Sequence, residues 1–111
     1  MFEQTRQGAV HVVTGDDPIT SSFVEKLSET LEECTGPGLP RVVIDLSSVP
    51  LLDSHGLELL LSASENCSRR GGALHVAGAN PLCHDILRIT GVGERVGEFD
   101  DVSQAVRSFL Q

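Results

Sequence analysis

Apolar residues recur along this chain in two rhythms, one of period two and one near 3.6, with turn residues between them. Phe2 to Thr5 fits a short strand, and Gln7-Gly8 can turn it into a second, "AVHVVT" at 9–14. In that second strand Val10 and Val12 share one face while Val13 lies on the other. "GDDP" at 15–18 breaks it. A helix is expected from 22 to 34. Ser22 and Glu25 have capping-box spacing, and Val24, Leu27, Leu31 and Cys34 form a stripe at helical intervals. Glu25, Glu29, Glu32 and Glu33 mark its wet side, and "TGPGLP" at 35–40 ends it.

The next segment, "RVVIDL" at 41–46, is nearly continuous in apolar character. Strands covered on both faces have this pattern, which implies a parallel or mixed sheet flanked by helices. Pro50 closes the strand region. Residues 57–70 read as a helix whose Arg69-Arg70 suits the negative end of the dipole and whose Gly71-Gly72 suits a left-handed cap. "ALHVAG" at 73–78 is the following strand. Asn80-Pro81 then starts a helix, cap followed by proline, that turns Leu82, Ile86 and Ile89 inward and stops at Gly91. "GVGERV" at 91–96 reads as a turn and "RVGEF" at 95–99 as a short strand. Asp101 caps a last helix with Val102, Ala105, Val106 and Phe109 on its buried face. The order ββαβαβαβα predicts one α/β domain over residues 1–111. Its central mixed sheet has about four or five strands, packed with about four helices.

Composition narrows the function. Sixteen acidic residues against eight basic ones give a net charge of −8. Such a surface repels phosphate backbones and anionic lipid, so nucleic acid and direct membrane contact are not expected, and a basic protein face is the natural complement. With four Phe and neither Tyr nor Trp, stacking sites for bases or sugars are not expected. The three cysteines, Cys34, Cys67 and Cys83, are far apart and show no zinc spacing, which predicts buried, reduced thiols. "MFEQTRQGAV" lacks the basic start and apolar stretch of a signal peptide, and no apolar run approaches the ~20 residues of a membrane span. A cytoplasmic location is expected.

Asp53, Ser54 and His55 are adjacent and have the residue types of a hydrolase triad. Consecutive side chains at a helix start point in different directions, and Leu52 stands where a nucleophile elbow needs glycine. The histidines at 11, 55, 75 and 84 form no H-x-x-x-H pair, so neither a metal site nor a cofactor is expected. "GVGERV" follows a helix, the reverse of the dinucleotide-binding order. What remains is "LLDSHG" at 51–56, after a buried strand and before a Leu-rich helix. That is where open α/β sheets place ligand and partner sites. On the residues alone, Asp53 or Ser54 is a helix N-cap.

The segment "VVIDLSSVPLLDSHGLELLLSASENCSRRGGALHVAGAN" and the later "ANPLCHDILRITGV" at 79–92 resemble the STAS domain, the family of bacterial anti-sigma factor antagonists. The likeness lies in an apolar strand ending in a D-L-S pattern, an xDSxG turn, a Leu-rich helix ended by Gly-Gly, and an I-T-G stop. It covers nearly the whole chain. It implies a non-enzymatic protein that binds a serine kinase doubling as anti-sigma factor. The unphosphorylated form binds the kinase and frees the sigma factor; phosphorylation of the serine after the aspartate, Ser54 here, releases it. A metal-dependent serine phosphatase resets the switch. Asp53 and Gly56 match the family's aspartate and glycine. The expected partner surface comprises Asp53, Ser54, His55, Gly56 and Glu58, flanked by Asp16 and Asp17. The chain departs from the family at His55, where a small or hydroxylated residue is usual, and at Asp16-Asp17, which match the family's loop only loosely. Related domains also serve as binding modules in lipid-transport complexes and signalling scaffolds, without a phospho-switch, and this is the alternative.

Overall fold

A β-hairpin opens the molecule and leads into a parallel sheet. The computed structural model describes residues 1–36 and 38–110. Pro37, inside the expected 35–40 turn, and Gln111, the last residue of the expected domain, lie outside the described residues. The elements are β1 (Phe2–Gln7), β2 (Val10–Gly15), α1 (Val24–Cys34), β3 (Arg41–Asp45), α2 (Ser54–Arg69), β4 (Ala73–Ala77), α3 (Pro81–Thr90), α4 (Val92–Val96), β5 (Glu98–Phe99) and α5 (Val102–Ser108). The five strands lie side by side in chain order. β1 is antiparallel to β2, in register from Phe2↔Gly15 to Gln7↔Val10. The β2–β3, β3–β4 and β4–β5 pairs are parallel. The expected α/β class and mixed sheet are therefore observed.

Alternation along the strands divides the core in two. Val13, Val42, Ile44, Leu74 and Val76 meet Leu27 and Leu31 of α1, Leu60 and Cys67 of α2, and Leu87 of α3. On the opposite face Val10, Val12, Val43 and Ala77 pack with Ala105 of α5 and the half-buried Val102, Val106 and Phe109. β3 reads as unbroken apolar sequence because both of its faces are covered.

Several local expectations fail, each for an identifiable reason. The Ser22–Glu25 capping box does not form: α1 starts at Val24, its N-cap is Phe23, and no side chain caps it. The amides of Phe23 and Val24 instead bond the Thr20 carbonyl. α2 begins at Ser54 rather than 57, because Asp53 caps it by accepting the Gly56 amide at 3.0 Å. On α3 the inward residues are Cys83 and Leu87, whereas Leu82 is 52% and Ile89 73% exposed. Both stripes fit a 3.6-residue period. The 91–96 segment is the helix α4, not a turn, and the strand after it shrinks to Glu98–Phe99. Gly91, at φ 77°, ends α3 and starts α4 in one left-handed residue, and Val92 and Val96 then bury one helical turn apart. Among the described residues there are five helices, the short α4 being the one added to the expected order. The Asn80 and Asp101 caps form as expected, accepting from Cys83 and Gln104 at 2.8 Å each.

Two tertiary ties position the loops. First, the β2–α1 loop is laid against the start of α2. The Ile19 amide donates to the Leu51 carbonyl at 2.9 Å, and the Asp53 amide donates to the Ile19 carbonyl at 3.3 Å. A Cβ on Gly56 would stand 2.1 Å from that Ile19 oxygen. Second, His84 of α3 holds Glu98 of β5, Nδ1 to Oε2, at 2.7 Å. That hydrogen bond, reinforced by the carboxylate charge, raises the His84 pKa.

Both ties are open to measurement. Gly56→Ala is expected to destabilise the fold by about 1–3 kcal/mol through overpacking, although alanine is the better helix former by about 1 kcal/mol. Urea denaturation followed by circular dichroism gives the sign, and a stabilised variant would contradict the close approach. For His84 the folded pKa lies above the unfolded value, so its contribution is complete below about pH 6.5 and fades as pH rises through the folded value. The gap in urea midpoint between wild type and Glu98→Gln should therefore be widest near pH 6 and close in mildly alkaline buffer.

Candidate functional site

The sequence after β3 leaves the sheet, passes Pro50, and enters α2 through Asp53. That aspartate lies in extended conformation, φ −113° and ψ −175°, and uses both carboxylate oxygens. Oδ1 accepts the Gly56 amide and Oδ2 accepts the Ser21 amide at 3.2 Å. The Gly56 amide, assisted by that of Ser21 and opposed by desolvation, holds the Asp53 carboxyl below its usual range. An ionised cap at this end also meets the positive pole of α2.

Ser54 is the first residue of α2 and is exposed. His55 follows, also exposed, with Nδ1 3.7 Å from Asp53 Oδ2. Glu58 lies one turn on and faces solvent. Gly56 is buried under Ile19, so its part is to let the loop approach rather than to meet a partner. The structure thus gathers Asp53, Ser54, His55 and Glu58 on one exposed helix start. Asp16 and Asp17 occupy the beginning of the docked loop, and both carboxylates contact the Met1 ammonium, Asp16 at 3.0 Å. Their contacts among the described residues do not run to α2.

Ile19 and Ser21 were not singled out from the sequence, yet they fasten the turn. An isoleucine set between polar loop residues after Pro18 was the available signal; it is fully buried.

The remaining reactive side chains are engaged elsewhere. Ring nitrogens of His11, His75 and His84 bond Gln4 Oε1, the Val96 carbonyl and Glu98. Cys34, Cys67 and Cys83 are free and buried. Burial raises all three thiol pKa values, that of Cys34 to about 11, so they stay protonated near neutrality. Among the described residues no three His, Cys, Asp or Glu side chains converge as a metal site would require. None of their helices is long and apolar enough to cross a membrane. What the α2 start offers chemically is an accessible hydroxyl on a rigid turn with acidic neighbours.

Comparison with known proteins identifies the fold and the family. The fold matches a Thermotoga maritima protein with a TM-score of 0.91 at 17% identity, over 99% of this chain and 95% of that one. It matches an anti-sigma factor antagonist from Mycobacterium paratuberculosis at 0.89 and 22% identity, over 100% and 94%. It also matches the murine anion transporter Slc26a9 at 0.77 and 20% identity, over 92% of this chain and 18% of that one. No curated protein sequence matches. The sequence pattern of the STAS domain matches residues 2–105. That span takes in every strand, and the chain belongs to the STAS domain family.

Proposed function

We propose that this protein is an anti-sigma factor antagonist, a binding protein switched by phosphorylation of Ser54. The observation that carries the reading is the position of Ser54, exposed as the first residue of α2 beside a cap that belongs to Asp53. A kinase can reach the hydroxyl without disturbing the Asp53–Gly56 and Asp53–Ser21 bonds. Partners of the class expected are a serine kinase doubling as anti-sigma factor and a serine phosphatase.

Phosphorylation adds about −1.5 to −2 charges at this point. The helix amides and dipole accept an anion there, so the fold persists. The partner meets something different. A basic face that suits Asp53 and Glu58 in the unmodified protein must also desolvate a dianion where it had met a hydroxyl. Repulsion from any acidic group of the partner adds to that. A cost of a few kcal/mol lowers affinity on the order of 10²-fold. His55, once protonated, can pair with the phosphate on its own side of the interface, which favours the released state.

A second reading is a binding module in a larger assembly without a phospho-switch. The match to a domain-sized part of a transporter favours it. Incubation with a cognate kinase and ATP, followed by mass spectrometry, separates the two: label on Ser54 is expected, and label elsewhere or none overturns the switch. Ser54→Asp should keep the wild-type unfolding free energy in urea within about 0.5 kcal/mol and lose partner affinity on the order of 10²-fold. Retained affinity would move the partner surface away from α2.

A further inference from the structure

β1 forms one edge of the sheet and pairs on one side alone, with β2. The hairpin that joins them decides which of its backbone groups are left over. Gly8 and Ala9 make a two-residue loop between Gln7 and Val10, with Gly8 at φ 63° and Ala9 at negative φ. That is the sense of a type II′ turn, whose flanking residues exchange both backbone hydrogen bonds. Gln7 is therefore a hydrogen-bonded position, and alternation makes Thr5 and Glu3 the next ones. The amides and carbonyls of Phe2, Gln4 and Arg6 point the other way, out of the sheet edge. Outside the β1–β2 ladder, no backbone group of the described residues bonds them.

Free edges invite pairing with another chain, and proteins guard them with proline, bulges, short strands or like charges. β1 has six residues, no proline, and a register with β2 that no bulge interrupts. Glu3, Thr5, Arg6 and Gln7 are exposed along it. The opposite edge strand, β5, is only two residues long and offers no comparable ladder. Charge also singles β1 out. The chain carries a net charge of −8, and most of its surface repels a second copy. β1 holds one acid, Glu3, and one base, Arg6, so it is neutral, and its two charges select a register rather than forbid all of them.

We propose that β1 docks against β1 of a second copy of this chain, the two strands antiparallel about a twofold axis normal to the sheet. Such an axis keeps like faces of the two sheets together, so opposed residues share a face and the axis passes through the level of one residue. Centred on Gln4, the joint sets Phe2 against the second copy's Arg6, and Glu3 against its Thr5. Every free amide and carbonyl of Phe2, Gln4 and Arg6 is then paired in both copies. Neighbouring registers are worse. Centring on Glu3 or on Arg6 opposes that residue to its own copy, like charge to like charge. Centring on Thr5 runs Phe2 onto the second copy's Gly8 turn. On the α1 face Arg6 shares a recess with Glu33, which offsets that carboxylate at the joint. Because β1 runs against β2, the same axis sends the two α2 starts to opposite ends of the joined sheet. Both Ser54 hydroxyls stay open, so the joint is independent of the switch.

The test is sedimentation equilibrium of the protein from about 10 μM to about 1 mM, with amide hydrogen exchange of the ¹⁵N-labelled protein at both ends of that range. The apparent mass is expected to rise from monomer toward dimer. The amides of Phe2, Gln4 and Arg6 should exchange more slowly at the high concentration, whereas those of Glu3 and Thr5, already bonded to β2, should change little. Thr5→Glu sets a carboxylate against Glu3 on both sides of the axis and is expected to weaken association about tenfold. Thr5→Lys, at the same exposed position, faces Glu3 with the opposite sign and should hold or tighten the dimer. Ser103→Glu, which adds the same negative charge on α5, should leave the affinity within about twofold. Three results would overturn the joint: a monomer mass up to about 1 mM, equal weakening by Thr5→Glu and Thr5→Lys, or a dimer whose Phe2, Gln4 and Arg6 amides exchange as fast as in the monomer.

Discussion

The close approach of the Ile19 carbonyl to Gly56 organises the end of this protein that carries Ser54. It lets the β2–α1 loop lie flat on the first turn of α2. Asp53 can then satisfy amides from both sides, Gly56 in its own helix and Ser21 in the loop. Remove the space at Gly56 and the two segments separate by more than an ångström, since an added Cβ would sit 2.1 Å from the oxygen. The loop would then lose its parallel bridge, Ile19 to Leu52, as well as the Ser21 bond. The start of α2 is rigid because a second loop is fastened to it.

The sheet sets up this meeting. Because β2 and β3 are parallel neighbours, the connections leaving them emerge at the same end and side by side. Covered faces oblige the chain to turn there through loops, and loops at that end carry the polar residues. The hairpin partner β1 runs the other way and contributes Phe2 to the edge of the larger core. The polar chemistry of the α2 start thus rests on an interior that, among the described residues, buries no polar or charged side chain.

Much of the architecture was legible in the sequence because punctuation and period agreed. Asn80-Pro81, Asp101 and the apolar run of β3 each state a local preference that the tertiary structure also satisfies. The failures occur where local pattern leaves a choice. Leu82, Ile86 and Ile89 make as good a stripe on α3 as Cys83 and Leu87, yet of the three only Ile86 packs against the core, and which stripe faces the sheet depends on how the helix leaves β4. Gly93, read as a turn residue, is buried inside α4 against Leu87 and the Glu98 carboxylate. Gly56 is the same kind of case. A glycine in the first turn of a helix looks like a helix that has not begun, and its reason lies thirty-seven residues away at Ile19. Of the site itself, the Asp53-Ser54 pair was visible as a motif, while the loop that braces it was not.

The order of Asp53 and Ser54 has a physical consequence of its own. Either side chain could cap a helix, and the residues alone did not decide between them. Had the serine been the cap, its oxygen would accept the helix amide, and any modification of that oxygen would disturb the cap. With aspartate as the cap, the serine oxygen is left out of the helix bonding and faces solvent. Loss of an N-cap costs about 1 kcal/mol, so separating the two roles onto neighbouring residues lets charge be added to Ser54 while the helix start keeps its bonds. A phosphate on Ser54, as proposed, would lie beside an aspartate whose pKa is already lowered by backbone amides. The amides of Gly56 and Ser21 that favour the charged carboxylate would oppose its protonation beside that phosphate.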